Sequence, residues 1–175
     1  MLKFVFRCML LLMLSGVMLA PRAQAQAAIY GEFSGEELTN LVGTNYAFGA
    51  TTGVLVDVST LHRIVVTADI QGRFMSDSVE KLDGVVLGPR FELPIKRGKL
   101  TPYGEFMIGF LRYNKASMQI STTDSTFQIN GGVAKQMSPH WDAVLEYSYA
   151  QYFALGGAYN PKTFSVGAIY HFTKR

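Results

Sequence analysis

Apolar and polar residues alternate along most of this chain. In the stretch 162–172, Phe164, Val166, Ala168, Tyr170 and Phe172 form one series, and Ser165, Gly167, Ile169 and His171 form the other. A period of two places each series on one face of a β-strand, and the first face is apolar. The same pattern predicts eight strands, at about 28–35, 46–58, 62–75, 80–94, 99–114, 124–137, 141–154 and 162–172. Turn residues separate them. No stretch has a helical period, and after residue 25 no apolar run is long enough for a spanning helix. Several of the strands reach the roughly 9–11 residues that a tilted strand needs to cross a bilayer. Strands in soluble sheets are usually about five or six residues long.

The faces sort in most strands. In the third, Ile64, Val66, Ala68, Ile70 and Phe74 oppose Arg63, Thr67, Asp69, Gln71 and Arg73. In the fourth, Leu87, Pro89, Phe91 and Leu93 oppose Gly88, Arg90 and Glu92. In the fifth, Phe106, Ile108 and Phe110 oppose Tyr103, Glu105, Met107, Gly109 and Leu111. In the sixth, Phe127, Ile129 and Val133 oppose Gln128, Asn130 and Gly132. In the seventh, Trp141, Ala143, Leu145, Tyr147 and Tyr149 oppose Asp142, Val144, Glu146 and Ser148. Pro89 falls inside an apolar face, where a proline is awkward and a bulge is expected.

The connections alternate as well. "STLH", "PIKRGK" and "MSPHW" after the second, fourth and sixth strands are tight. "GEELTNLVGTN", "SDSVEKLD", "NKASMQISTT" and "LGGAYNPK" after the odd strands are longer and polar. Short turns at one end and longer loops at the other match the bacterial outer-membrane arrangement, with both termini on the periplasmic side.

The first residues change the charge picture. Residues 1–25 carry Lys3 and Arg7, an apolar run from Cys8 to Ala20, and "AQA" at Ala23–Ala25. That is the pattern of a cleaved secretory signal peptide. The chain has 16 Lys and Arg against 13 Asp and Glu. Removing Lys3, Arg7 and Arg22 with the signal leaves a net charge of zero, so no electrostatic footprint for nucleic acid remains. Cys8, the only cysteine, leaves with it. The mature domain, 26–175, therefore has no disulfide and no thiolate metal site.

Alternation alone does not say which face meets water. Two features place the apolar face against lipid. The polar faces are rich in Gly, Ser, Thr, Asn and Gln with charges of both signs, which suits the narrow lumen of an eight-stranded barrel. Aromatic residues collect near strand ends: Tyr46, Phe48, Phe74, Tyr103, Tyr113, Trp141, Tyr152, Phe153, Phe164, Tyr170 and Phe172. Interface girdles gather such rings. A closed barrel also satisfies every backbone N–H and C=O without water, as a bilayer demands. The expected fold is thus all-β, an eight-stranded antiparallel up-and-down transmembrane barrel.

The signal peptide, the strands, the loop asymmetry and the final "SVGAIYHF" resemble the small outer-membrane β-barrel superfamily of the OmpA transmembrane domain and the OmpX-type barrels. The resemblance is one of pattern over the whole mature chain. It implies a monomer in the bacterial outer membrane, surrounded by its lipids and inserted by the barrel-assembly machinery. It also implies that Val166, Ala168, Tyr170 and Phe172 form the C-terminal insertion signal. The chain adds Thr173, Lys174 and Arg175 after that aromatic.

Arg63, Asp69, Arg73, Arg90, Glu92, Glu105 and Glu146 are expected to point into the lumen as a structural network of paired charges, since unpaired ones there are costly. Glu36, Glu37, Asp77, Glu80, Asp83, Lys115 and Asp124 are expected to be solvated on loops. His62, His140 and His171 are read as turn or interface residues. No metal, phosphate-loop or catalytic spacing is visible, and no cofactor is expected. The leading function is a non-enzymatic membrane barrel acting structurally or through its loops. Its alternatives are a soluble lipocalin-like carrier, with the faces reversed, and an outer-membrane lipid-modifying enzyme. Against the carrier, the only tryptophan is Trp141, in the seventh strand.

Overall fold

The computed structural model describes residues 26–40, 43–77, 80–95, 97–115, 120–152 and 160–173. The expected signal peptide, Tyr152 as a side chain and Phe153 lie outside what is described. Eight strands follow one another: β1 Ala27–Asn40, β2 Gly43–Leu61, β3 Ile64–Ser76, β4 Glu80–Glu92, β5 Leu100–Lys115, β6 Ile120–Gln136, β7 Trp141–Tyr152 and β8 Lys162–His171. Each pairs antiparallel with the next, and β1 pairs with β8 to close the barrel. Followed once round, the eight registers displace the chain by about ten residues, which tilts the strands by about 40°. The start of β1, the end of β8 and the β2–β3, β4–β5 and β6–β7 connections lie at one end, the turn end. The other is the loop end.

Two connections differ from the sequence expectation. β1 runs to Asn40 and pairs with Gly43, so most of "GEELTNLVGTN" is strand. β5 and β6 pair out to Lys115 and Ile120, so "NKASMQISTT" is largely strand too. Each further register pair adds ladder hydrogen bonds, and polar strand residues are tolerated where water can reach them. At the turn end, Leu61 pairs with Ile64 across the two residues His62 and Arg63. His62 has φ of 59°, the positive value that a type II′ hairpin needs at its first central residue.

Pro89 causes no bulge. The β4–β5 ladder omits Gly88 and Pro89, yet Leu87↔Ile108 and Arg90↔Glu105 keep one register. The ring removes an N–H, so the ladder is interrupted without an extra residue. Pro89 still pairs with Ala68 on β3. The bulge lies in β2, between Asp57 and Ser59.

The faces sort opposite to those of a water-soluble barrel. On β3, Thr67, Asp69, Gln71 and Arg73 are buried, whereas Ala68, Ile70 and Phe74 are exposed. The exposed outer surface carries Phe33, Phe48, Phe106, Phe110, Ile129, Phe164 and Val166. So large an apolar surface on a sheet is a lipid-facing one. The soluble-carrier alternative needs the reverse facing, and the structure overturns it.

Candidate functional site in the barrel interior

The interior is layered along the barrel axis. Near the turn end Ala28, Tyr30, Leu55, Tyr103, Ala134, Val144 and Ile169 form an apolar layer. Near the loop end Ala47, Met75, Leu82 and Leu111 form another, with Tyr113 against it. Between the two lies a polar layer in which nearly every strand takes part.

Arg90 is the centre of that layer and is 2% exposed. Its Nε is 2.8 Å from Glu92 Oε1, and its Nη1 donates to Glu105 Oε1 at 3.1 Å. Arg90 and Glu105 are direct cross-strand partners on the inner face. The guanidinium carbon lies 3.5 Å from the centre of the Tyr103 ring, a cation–π contact inside the barrel. Asn130 Nδ2 donates to Glu105 Oε2 at 2.6 Å. Gln128 Nε2 donates to Asn130 Oδ1 at 2.6 Å and to Gln71 Oε1 at 3.0 Å. That last bond crosses the lumen from β6 to β3. Gln71 then donates to the Tyr30 hydroxyl, which donates to Asp69, both at 3.1 Å. One unbroken path therefore joins β4, β5, β6, β3 and β1.

Arg73 makes a second tie nearer the loop end. Its Nη2 donates to Ser148 on β7 at 2.9 Å and its Nη1 to Thr163 on β8 at 3.2 Å. Nη1 also lies 3.6 Å from Glu36 on β1. Ser34 shares hydroxyl hydrogen bonds of 2.8 Å with Thr51 and Ser165. One arginine on β3 and one serine on β1 thus fasten the seam where the first and last strands meet.

Two glycines make room for the tyrosines. Gly53 is the register partner of Tyr30, and Gly132 that of Tyr103. A Cβ at either position would run into the ring opposite it. The rings lie across the glycine backbones, and Tyr103 donates from its hydroxyl to Glu146 at 3.0 Å. We expect Gly53→Ala to push Tyr30 off Asp69 and Gln71 and to cost about 1–3 kcal/mol. At Gly132 the new Cβ would also meet the Leu145 carbonyl, so Gly132→Ala should cost more. Urea titration of the folded form, with equal midpoints for both variants, would refute that ranking.

Of the seven residues expected in the lumen, Asp69, Arg73, Arg90, Glu92, Glu105 and Glu146 are buried inside the barrel. Arg63 is not. The hairpin closes at Ile64, which leaves Arg63 exposed in a two-residue turn although its parity matches Thr67. Glu36, expected on a solvated loop, is 1% exposed because β1 continues inward–outward alternation past it. Tyr103 and Tyr113 belong to the interior, not to an outer girdle. His171 is no turn or interface residue either: it is buried, with Nε2 3.0 Å from Asp142 Oδ2. His62 is an exposed turn residue, and the His140 ring is 2.9 Å from the His171 carbonyl through Nδ1. Ser165 bonds Ser34 while His171 bonds Asp142, so the two do not form a His–Ser pair. Among the described residues no group of His, Cys, Asp or Glu is arranged to hold a metal ion. Tyr30, Glu32, Ser34, Glu36 and Asp142 also belong to the interior; the first three lie within the expected first strand and follow from its period of two, and only Glu36 needed a longer strand.

Val166 and Phe172 are exposed on the outer surface, and Ala168 and Tyr170 are partly so. Trp141, Tyr170 and Phe172 pack ring against ring there, with centroids 4.9 and 5.6 Å apart.

Solved barrels share this architecture. Neisserial surface protein A superposes with a TM-score of 0.67 at 12% identity, over 83% of this chain and 97% of that one. Ail, the attachment invasion locus protein of Yersinia pestis, solved with the heparin analogue sucrose octasulfate, gives 0.56 at 16%, over 85% and 99%. A major outer membrane protein from Thermus thermophilus gives 0.54 at 12%, over 85% and 100%. No curated protein matches the chain in sequence. The model of the outer membrane protein beta-barrel domain family matches residues 9–172. With its closed eight-stranded barrel and apolar exterior, this chain belongs to the outer membrane protein β-barrel family and resides in the bacterial outer membrane.

Proposed function

We propose that the protein is a non-catalytic integral barrel, closed along its axis by its own side chains, that acts structurally or through its loop end. The observation that carries this reading is the hydrogen-bonded path from Arg90 to Asp69 across the lumen, with apolar clusters toward either end. An eight-stranded barrel is only wide enough for side chains to fill. A cavity of about 600 Å³ does open at the turn end, among Asp57, Thr60, Ile95, Lys99, Gln136 and Asp142. In this reading it ends at the apolar layer beneath it. The turn end faces the periplasm, as short connections do in this class.

Planar-bilayer recording of the refolded protein tests closure. The expected record has no steady conductance steps. Stable open steps that persist at low voltage would overturn it.

The loop end presents Glu37, Asp77 and Asp83 beside Lys81, Arg112 and Lys162. This mixture does not favour the sulfated sugar bound in the Ail structure, so a partner there is read as neutral or zwitterionic. The outward series Val166, Ala168, Tyr170 and Phe172 is the proposed recognition strand for the barrel-assembly machinery, with surrounding lipids as the remaining partner of a monomer. Phe172→Ala is expected to slow appearance of the folded, heat-modifiable form in cells several-fold while leaving refolding into vesicles unchanged. Equal slowing in both would make Phe172 a stability residue instead.

A further inference from the structure

The charges at the turn end differ in burial. Asp142 is held inside by His171, Glu92 faces Arg90, and Asp57 accepts from the Thr67 hydroxyl at 3.1 Å. At the same end Arg63, Arg97, Lys99 and Lys135 are all exposed, and Lys135 shares the outward parity of Leu100. Of the four, Lys99 stands at the cavity mouth, which Asp57 and Asp142 also line. The four cations form an arc from the β2–β3 turn through the β4–β5 turn to the foot of β6.

The arc borders exposed apolar residues, of which Ile95 and Leu100 also line the cavity mouth. Leu61, Ile95, Leu100, Met137 and Trp141 are all more than a third exposed. Lys135 is the register partner of Leu100, and Lys99 accepts at its carbonyl from Gln136 N at 2.9 Å. The cations thus stand where the apolar belt gives out, which is the depth of lipid headgroups. Lys99 is held in place by the β4–β5 turn, closed by the Ile95–Leu100 bridge. It has φ of 53° directly after Gly98 at 93°. Positive φ values at consecutive residues are what a tight hairpin turn requires.

We infer that this arc binds the phosphates of anionic phospholipids in the adjoining leaflet. Each Arg or Lys near a lipid surface attracts such headgroups through screened charge, and the exposed aliphatic stems lie along the apolar rim. The inference rests on the membrane placement above, but not on which end faces the periplasm.

Trp141, the only tryptophan, reports on it directly. Its backbone carbonyl accepts from Met137 N at 2.9 Å, next to the Gln136–Lys99 bond, and its ring packs on Tyr170 of β8, so Trp141 reports from the same end of the barrel as the arc. The refolded chain is placed in vesicles of phosphatidylcholine with brominated phosphatidylglycerol, or with brominated phosphatidylcholine. Quenching of Trp141 is then followed against mole fraction. The expected association constant favours the anionic lipid by about fivefold at low salt and falls toward unity in 1 M salt. In Arg97→Gln/Lys99→Asn/Lys135→Gln, which retains the gel shift of a folded barrel, the preference is about one. Equal quenching by both lipids in the unaltered protein, or a preference that the triple variant keeps, would overturn the proposal alone. Absence of quenching by either lipid would take Trp141 out of the bilayer and overturn the placement of the rim as well.

Discussion

Replacing Arg90 with methionine is expected to cost the barrel about 3–5 kcal/mol, the largest loss from any single interior change. Methionine has a similar length and no charge, so packing in the lumen is roughly preserved. What is lost is the cation between Glu92 and Glu105, which it meets at 2.8 and 3.1 Å. Both carboxylates are buried, and a buried charge without a partner is far costlier than a pair that was never there. The path through Asn130, Gln128 and Gln71 starts from Glu105, so its disturbance spreads to β6 and β3. Arg90→Met/Glu92→Gln/Glu105→Gln removes the orphaned charges and should recover most of the loss. Urea titrations of the folded band in vesicles measure both. A single-variant loss below about 1 kcal/mol, or no recovery in the triple variant, would show that the arginine is not the keystone of the lumen.

The same region shows what can be read from a sequence. Strand existence and facing were legible because a barrel with lipid outside and a side-chain lumen inside imposes a strict period of two. Ile70 against Asp69 and Phe106 against Glu105 need no structure to be sorted. Pairing was not legible. That Arg90 opposes Glu105, and that Gln128 crosses to Gln71, depends on registers set by turns and by the barrel stagger. Strand ends were the other blind spot. Glu36 looks like loop because it sits among Glu, Thr, Asn and Gly, yet the ladder carries β1 past it and turns it inward. Arg63 fails in the opposite sense: its parity is right but the strand has not begun. Tyr103 and Tyr113 share a residue type with the outer girdle. Only their parity with Glu105 and Leu111 separates them from it.

The outer face supports the second large prediction, and it addresses directly what the apolar surface touches. Phe106 lies midway along β5 with half its surface exposed. Phe106→Arg should cost about 2–4 kcal/mol in vesicles, because an arginine at the bilayer midplane must snorkel or draw in water. Part of any loss belongs to the stacked contact with Phe127, whose ring centroid is 6.3 Å away. Phe106→Ala measures that part and is subtracted. Met137→Arg, an equally apolar and more exposed position at the turn end, is the depth control. It should cost about 0–1 kcal/mol, since there the guanidinium reaches headgroups. A water-facing surface would charge neither substitution, and a packed protein interface would charge according to contacts rather than depth. A steep cost at Phe106 with almost none at Met137 is a pattern that only a hydrocarbon layer of finite thickness produces. Equal costs at the two positions would sink the lipid-facing assignment of this surface.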